Sequence, residues 1–308
     1  MLGWRILISV ILVPVLIGIF LLDHRAGESA PYLFALCLLL VWRAAYEFAD
    51  LLKTRSFSPS FRLIGCCSTL IVAATWLPHC LPHVVARGED VTLLRMLGCF
   101  DLPMLVFSLS ILAAFLRGAI RYREPGSTME SLGADILGIA YLGVLLSVTA
   151  QLRWVAGVQA GYLVLASLVI GAKCGDIGGY TLGRLFGKKK LVPTLSPGKT
   201  WMGAFGALLG SSVAVTAWLH FAPGYFFDDG VPCSLVWSLI YGAIIGVVGL
   251  VGDLAESLIK RDVGKKDSAV LMPGFGGLLD LLDSVLYAGP VALLLWKMLP
   301  LATWATPW

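Results

Sequence analysis

Residues 257–284 read SLIKRDVGKKDSAVLMPGFGGLLDLLDS, a polar stretch between two strongly apolar segments that predict membrane-spanning helices. The stretch holds four basic residues and four aspartates around a Pro-Gly-Phe-Gly-Gly turn. Ionisable side chains are costly at membrane depth, where they usually mark a functional site. A dense mixture of both charges beside a glycine-rich turn suits a metal ion and phosphate groups better than it suits lipid.

The composition of the whole chain predicts a membrane protein. Of its 308 residues, 58% are hydrophobic and 14% are charged, whereas soluble domains carry about 25% charged residues. A spanning helix needs roughly 20 apolar residues, and the chain offers about nine such segments. We therefore predict an all-α polytopic membrane protein. The predicted spans are 6–22, 31–50, 63–80, 98–116, 132–150, 156–180, 202–220, 234–258 and 278–299.

The distribution of basic residues predicts the orientation of these spans. If the N-terminus is cytoplasmic, 16 of the 23 lysines and arginines fall in cytoplasmic segments and five fall outside. Cytoplasmic loops normally carry this excess, so we expect a cytoplasmic N-terminus and a functional site at the cytoplasmic interface. The basic loops can meet anionic lipid headgroups or a polyphosphate. Nucleic acid is not an expected partner, because the chain has no soluble basic domain.

The two parts of the chain differ in chemical content. Residues 1–130 are predicted to form a scaffold of apolar helices, and residues 131–308 to form the catalytic membrane domain with a signature at 253–284. In the scaffold, Arg43 and Glu47 have the i,i+4 spacing of an intrahelical ion pair. Lining of a polar cavity by these two residues and Asp50 is the alternative.

The first polar cluster lies in residues 173–190. Lys173, Asp176, Tyr180 and Arg184 recur every three or four residues, which predicts one polar stripe on a helix leaving the membrane. A tightly packed helix with basic residues at its end would account for Arg184. It would not account for Asp176, whose carboxylate needs a positive partner within a span.

The connector that follows contains Ser196-Pro-Gly-Lys199-Thr-Trp. The Pro-Gly pair predicts a turn, and Ser196 and Lys199 are suited to holding phosphate oxygens. A nucleotide-binding P-loop is excluded, because the GxxxxGK spacing and the preceding soluble strand are missing.

The second cluster supplies carboxylates from two predicted helices. Asp253, Glu256, Ser257 and Lys260 share one helical face, and Asp280 and Asp283 follow the glycine-rich turn at i,i+3 spacing. Magnesium takes oxygen ligands, commonly one or two carboxylates together with substrate phosphates. If the two helices are adjacent, Asp253, Asp280 and Asp283 are the predicted metal ligands. Salt bridges to Lys260 or Lys266 are the alternative.

At these residues the chain resembles the phosphatidate cytidylyltransferase, or CDP-diacylglycerol synthase, family. The family's signature reads Ser-x-x-Lys-Arg, four residues, Lys-Asp, then Pro-Gly-His-Gly-Gly and Asp-Arg-x-Asp. The matching residues are Ser257, Lys260, Arg261, Lys266, Asp267, Pro273, Gly274, Gly276, Gly277, Asp280 and Asp283. Similarity covers roughly residues 170–290. Three positions depart from the family's pattern, namely Met202, Phe275 and Leu281, where a glutamate, a histidine and an arginine are usual.

The resemblance implies a reaction in which CTP and phosphatidic acid give CDP-diacylglycerol and pyrophosphate in a multi-pass protein of the cell inner membrane. It implies Mg²⁺ as the cofactor. A second cation and a homodimer are further expectations. The residues expected in catalysis are Lys260, Arg261, Lys266 and Asp267. Those expected to bind substrate are Asp176, Ser196, Lys199, Ser257, Gly274, Gly276 and Gly277. The alternatives are a CTP-dependent transferase for another lipid acceptor and a cation-coupled transporter.

Overall fold

A computed structural model describes residues 2–53, 58–80, 101–227, 231–269 and 276–302, with the backbone alone at residues 2–7, 9 and 101. Gly274 and Phe275 lie outside these residues. The N-terminal helices are α1 (Leu2–Ala26), α2 (Pro31–Leu52), α3 (Phe61–Cys80), α4 (Asp101–Arg121) and α5 (Thr128–Gly138). A π-helix (Ile139–Val144), α6 (Leu145–Ala150) and a 3₁₀ turn (Gln151–Arg153) continue α5. After these come α7 (Gly157–Phe186), β1 (Lys190–Val192), β2 (Ser196–Thr200), α8 (Trp201–Phe221), a 3₁₀ turn (Pro223–Tyr225), α9 (Leu235–Asp262) and α10 (Leu279–Met298).

The helices confirm the predicted fold class. Eight helical segments among the described residues are long and apolar enough to cross a membrane: Pro31–Leu52, Phe61–Cys80, Leu102–Arg121, Thr128–Arg153, Gly157–Phe186, Trp201–Tyr225, Leu235–Asp262 and Leu279–Met298. The ninth predicted span, residues 6–22, lies within α1 but is not among these eight. The orientation of the spans stays a prediction.

The connector between α7 and α8 differs from its prediction. Residues 190–200 form an antiparallel two-stranded ribbon, in which Lys190 pairs with Thr200 and Val192 with Ser196. The turn lies at residues 193–195, and the Pro-Gly pair expected to form it lies inside β2. A proline has no N–H to donate, which an edge strand tolerates. The predicted turn was therefore placed a few residues too late in the chain.

The chain divides into two compact units. The first comprises Met1–Ser147 with Asp267–Leu279, and the second comprises Val148–Lys266 with Asp280–Trp308. The predicted division at residue 130 concerns the roles of the two parts and stays a prediction.

In the first unit, buried carboxylates fix the ends of helices. Both carboxylate oxygens of Asp23 accept backbone N–H groups at the start of α2, at 2.8 Å from Tyr32 and 2.6 Å from Leu33. The first turn of a helix has no intrahelical acceptors for these groups. Asp135, which is fully buried, pairs with Arg117 at 2.5 Å and accepts the Ser60 N–H at 2.7 Å. These contacts fix the segment before α3 against α4 and α5.

In the second unit, small residues allow helix backbones to approach closely. A side chain at Gly178 of α7 would collide with the Gly206 carbonyl of α8. A Cβ at Gly246 of α9 would lie 2.6 Å from the Ala207 carbonyl oxygen. Membrane helices commonly associate through such small residues, because packing replaces the hydrophobic driving force in lipid. Helices α7, α8 and α9 therefore form the framework that supports the polar residues.

Candidate active site

A close approach of α9 and α10 brings the two halves of the signature together. A Cβ at Gly252 of α9 would lie 2.7 Å from Cβ of Tyr287 and 2.9 Å from the carbonyl oxygen of Asp283, both on α10. Only glycine fits at this crossing. The acidic residues that follow Gly252 therefore face the beginning of α10.

Three carboxylates meet at this crossing. Asp253, Glu256 and Asp283 each offer one oxygen, and the three oxygens lie within 4.8 Å of one another. Glu256 is 2% exposed and Asp283 is 5% exposed, whereas Asp253 is half-buried. Glu256 was not among the predicted ligands. Its place one helical turn after Asp253, on the same face of α9, was the signal that could have identified it.

Asp280, the third predicted ligand, contacts a lysine. Nζ of Lys260 lies 2.5 Å from Oδ1 of Asp280 and 2.7 Å from Oε2 of Glu256. The salt bridge that the sequence left as an alternative is therefore present at Asp280. Lys260 is itself buried, and of its two charge-assisted hydrogen bonds the one to Glu256 stays within α9, whereas the one to Asp280 joins α9 to α10.

Asp176 has the positive partner that its place in a span required. Nζ of Lys173 lies 3.1 Å from Oδ2 of Asp176 and donates to Oγ of Ser284 at 3.0 Å. Ser284 follows Asp283 directly, and its hydroxyl donates to Asp176 at 3.3 Å. This network connects α7 to the acidic cluster on α10.

The ribbon adds a further cation to the cluster. Nζ of Lys199, in β2, lies 2.7 Å from Oδ2 of Asp253 and donates to the carbonyl oxygen of Leu250 at 3.2 Å. The next residue, Thr200, caps α8, because its hydroxyl accepts the Gly203 N–H at 3.0 Å. The ribbon thus holds Lys199 at the cluster while Thr200 begins the following helix.

Other predicted residues lie nearby in the second unit. Arg261 donates from Nε to the Leu195 carbonyl oxygen at 3.3 Å and from Nη1 to the Lys265 carbonyl oxygen at 3.1 Å. Ser257 is buried, Ser196 is half-buried and Lys266 is exposed. The structure therefore ties Arg261 to the ribbon and the end of α9, and leaves Lys266 on the surface.

The remaining predicted residues belong to the first unit or lie outside the described residues. Asp267 is exposed. Gly276 has a φ of +88°, a left-handed conformation that favours glycine. A Cβ at Gly277 would meet side-chain atoms of Ser268 and Glu47. Packing against Ser268 and Glu47 therefore explains why residue 277 is a glycine. The predicted approach of its backbone to a nucleotide stays a prediction.

The carboxylate cluster fits a hard divalent cation. Oε1 of Glu256 is buried and accepts no hydrogen bond from any residue that the structure describes. A buried acceptor without a donor is costly, and a cation among the three oxygens would satisfy it. Magnesium is usually held by one or two protein carboxylates and by substrate phosphates at an incompletely enclosed site, and the half-buried Asp253 leaves the cluster open on one side.

Comparisons with known proteins agree with this geometry. The model of the cytidylyltransferase family matches residues 3–299. A phosphatidate cytidylyltransferase of Pseudomonas aeruginosa is 34% identical over 311 residues, covering the whole of both chains. One of Haemophilus influenzae is 38% identical over 221 residues, 72% of this chain and 65% of that protein. An uncharacterized Escherichia coli protein, YnbB, is 33% identical over 196 residues, and the match spans 63% of its length. The resemblance expected from the signature is confirmed, and the chain belongs to the cytidylyltransferase family.

Proposed function

We propose that the protein is a phosphatidate cytidylyltransferase that transfers the cytidylyl group of CTP to phosphatidic acid, giving CDP-diacylglycerol and pyrophosphate. The observation that carries the proposal is the cluster of Asp253, Glu256 and Asp283 with Lys199 and Lys260 beside it. The membrane helices suit the lipid substrate, and the Pseudomonas aeruginosa relative with full coverage is named for this reaction.

In the proposed reaction, an anionic oxygen of the phosphatidate attacks the α-phosphorus of CTP. The new phosphorus–oxygen bond forms as the bond to the β-phosphate bridging oxygen breaks, and the electron pair leaves with pyrophosphate. Such transfers depend chiefly on positioning and charge neutralisation. No general base is required, because the attacking oxygen is already ionised.

The carboxylates would hold the divalent cation. Asp253, Glu256 and Asp283 are the proposed ligands, and Mg²⁺ is the proposed ion. When bound, a divalent cation supplies Lewis-acid polarisation and a template for the phosphate oxygens. Asp280 is assigned a different role from the one predicted, because its contact with Lys260 fixes the lysine between α9 and α10.

The cations would neutralise the phosphates. Lys199 lies beside Asp253 at the open side of the cluster and can exchange that contact for a phosphate oxygen. Arg261 and the exposed Lys266 follow at the end of α9 and are assigned to the triphosphate and the departing pyrophosphate. Lys260 is buried between two carboxylates, so its proposed role is to keep the cluster assembled.

The substrates suggest where the site lies. CTP is cytosolic, and the excess of basic residues favours a cytoplasmic interface for the loops that hold Lys199 and Lys266. We therefore propose a multi-pass protein of the inner membrane with its site on the cytoplasmic side. The homodimer and the second cation stay predictions.

Pyrophosphate release by the purified full-length protein tests the proposed function. We expect release with CTP, Mg²⁺ and phosphatidic acid, and none when phosphatidic acid is omitted. At the Mg²⁺ concentration that half-saturates the wild type, Glu256→Gln should strongly reduce release, whereas Glu130→Gln, at an exposed residue of α5, should not. If pyrophosphate is released with another lipid acceptor but not with phosphatidic acid, the protein is the alternative CTP-dependent transferase. Cation flux in sealed vesicles without CTP would assign the transporter.

A further inference from the structure

We propose that Glu47, in the part of the chain predicted to be a scaffold, is a positioning residue that fixes the start of α10. Its Oε2 accepts the backbone N–H of Leu279 at 3.0 Å. Leu279 is the first residue of α10, and Asp280 follows it. The Glu47 side chain is fully buried, so this carboxylate is committed to contacts inside the first unit.

The hydrogen bond supplies an acceptor that α10 lacks. The first N–H groups of a helix have no intrahelical partner, and Leu279 is the first residue of α10. A carboxylate at a helix N-terminus also interacts favourably with the helix dipole. Glu47 thus does for α10 what an N-capping residue normally does, although it comes from a helix far away in the sequence.

Gly277 leaves room for this carboxylate. A Cβ at Gly277 would lie 2.5 Å from Oε2 of Glu47 and 3.0 Å from the Ala269 nitrogen, and would collide with Oγ of Ser268. Oγ of Ser268 also donates to the same carboxylate oxygen at 3.5 Å. Glu47 therefore contacts Ser268 as well as the first residue of α10.

Arg43 makes the buried charge tolerable. Arg43 lies one turn before Glu47 on α2, and its Nη2 lies 2.9 Å from Oε1 of Glu47. The Arg43 guanidinium also lies over the Tyr46 ring. Of the two explanations left open by the sequence, the intrahelical pair is present. The other carboxylate oxygen of Glu47, Oε2, accepts the Leu279 N–H, a contact that the spacing of Arg43 and Glu47 does not predict.

The consequence for catalysis rests on the proposed function. Asp280 lies in the first turn of α10 and Asp283 at the start of the second, so a shift of the first residue of α10 moves both carboxylates. Small misplacements of reacting groups cost up to about 100-fold in rate. Glu47 touches neither substrate nor metal in this proposal and acts through the backbone of α10.

Hydrogen exchange and turnover of the full-length protein in detergent test the proposal together. Glu47→Asp keeps the charge but shortens the reach, whereas Glu47→Gln keeps an oxygen at the same reach. Gly277→Ala adds a methyl group where Oε2 lies and leaves Glu47 intact. Asp50→Asn is the matched control, because Asp50 is exposed one turn further along α2.

We expect Glu47→Asp and Gly277→Ala to raise exchange in a peptide spanning residues 276–282 about tenfold, the ratio expected for about 1.4 kcal/mol. Both should lower kcat by a similar factor with an unchanged KM for CTP. Glu47→Gln should keep most of the protection from hydrogen exchange and most of the kcat of the wild type. Asp50→Asn should match the wild type.

Wild-type exchange in Glu47→Asp and Gly277→Ala would overturn the proposal. So would raised exchange with full kcat, or an equal loss of kcat in Asp50→Asn. If Glu47→Asp fails to fold, Gly277→Ala and Glu47→Gln decide the question alone. If the wild type releases no pyrophosphate with any lipid, the proposed function fails, and the exchange data still decide whether Glu47 holds α10.

Discussion

Lys199 and Asp253 form an ion pair of 2.7 Å between the ribbon and α9. The Lys199 side chain is 14% exposed, whereas that of Asp253 is 39% exposed. The pair therefore places a cation at the accessible side of the carboxylate cluster. This is where a polyphosphate would have to approach the cluster.

Lys199→Met should weaken the binding of CTP. The substitution removes the cation at the open side of the cluster and keeps most of the length of the side chain. A hydrogen bond to a charged group contributes about 1.5–3 kcal/mol, so we expect KM for CTP to rise about tenfold or more. Steady-state pyrophosphate release measures the change. Lys190→Met, at an exposed position of β1, is the control, and equal KM values for the two variants would contradict the assignment.

Glu256→Gln should raise the magnesium requirement more than Asp280→Asn does. Glu256 belongs to the cluster of three oxygens, and Asp280 pairs with Lys260. Loss of a residue that hydrogen-bonds to a metal ligand typically costs 10–100-fold in metal affinity or activity. Loss of a ligand itself should therefore raise the required Mg²⁺ concentration at least about tenfold. The Mg²⁺ concentration that gives half-maximal rate reports this. The opposite order would restore Asp280 as the ligand predicted from sequence.

Lys260→Met should destabilise the fold. The lysine is buried between Glu256 and Asp280, and its removal leaves the buried Glu256 carboxylate and the partly buried Asp280 carboxylate without their shared cation. Breaking a buried ion pair by removing one partner costs about 3–5 kcal/mol. Thermal unfolding in one detergent should show a large drop in Tm, while Lys265→Met, at an exposed residue, should not. An unchanged Tm would mean that Lys260 does not stabilise the packing of α9 against α10 and instead neutralises substrate phosphates.

Gly178→Ala should destabilise the second unit, because the added methyl group would collide with the Gly206 carbonyl. Overpacking of this kind costs about 1–3 kcal/mol. Gly133→Ala is the control, since a Cβ there meets no atom within 4 Å and alanine is the better helix former by about 1 kcal/mol. The two Tm values should therefore move in opposite directions. A neutral Gly178→Ala would show that α7 and α8 can separate without cost.

Accessibility to a membrane-impermeant maleimide should test the orientation. A cysteine at Lys188, in an otherwise cysteine-free chain, lies in a loop predicted to be cytoplasmic. It should react in inverted inner-membrane vesicles and stay unlabelled in intact spheroplasts. Labelling in spheroplasts alone would reverse the orientation and move the proposed site away from cytosolic CTP.

The sequence was sufficient for features that depend on local composition. Each span is a run of about 20 apolar residues, and the free energy of transfer to lipid depends on that run rather than on its neighbours. The requirement that Asp176 meet a positive group was also predictable, since an isolated charge is costly in a span. Lys173 meets it from the same helix, three residues earlier.

The tertiary structure decided which side chains meet. Asp280 and Asp283 share one face of α10, yet the rotation of that helix against α9 directs Asp283 to Asp253 and Asp280 to Lys260. Glu47 reaches Leu279 from a helix that shares no local pattern with it. Hydropathy and spacing describe one helix at a time, whereas these contacts depend on how closely and at what rotation two helices pack. Gly252 sets the distance between α9 and α10, and Gly277 leaves room for the Glu47 carboxylate; the neighbours of both glycines became identifiable only once the chain had folded.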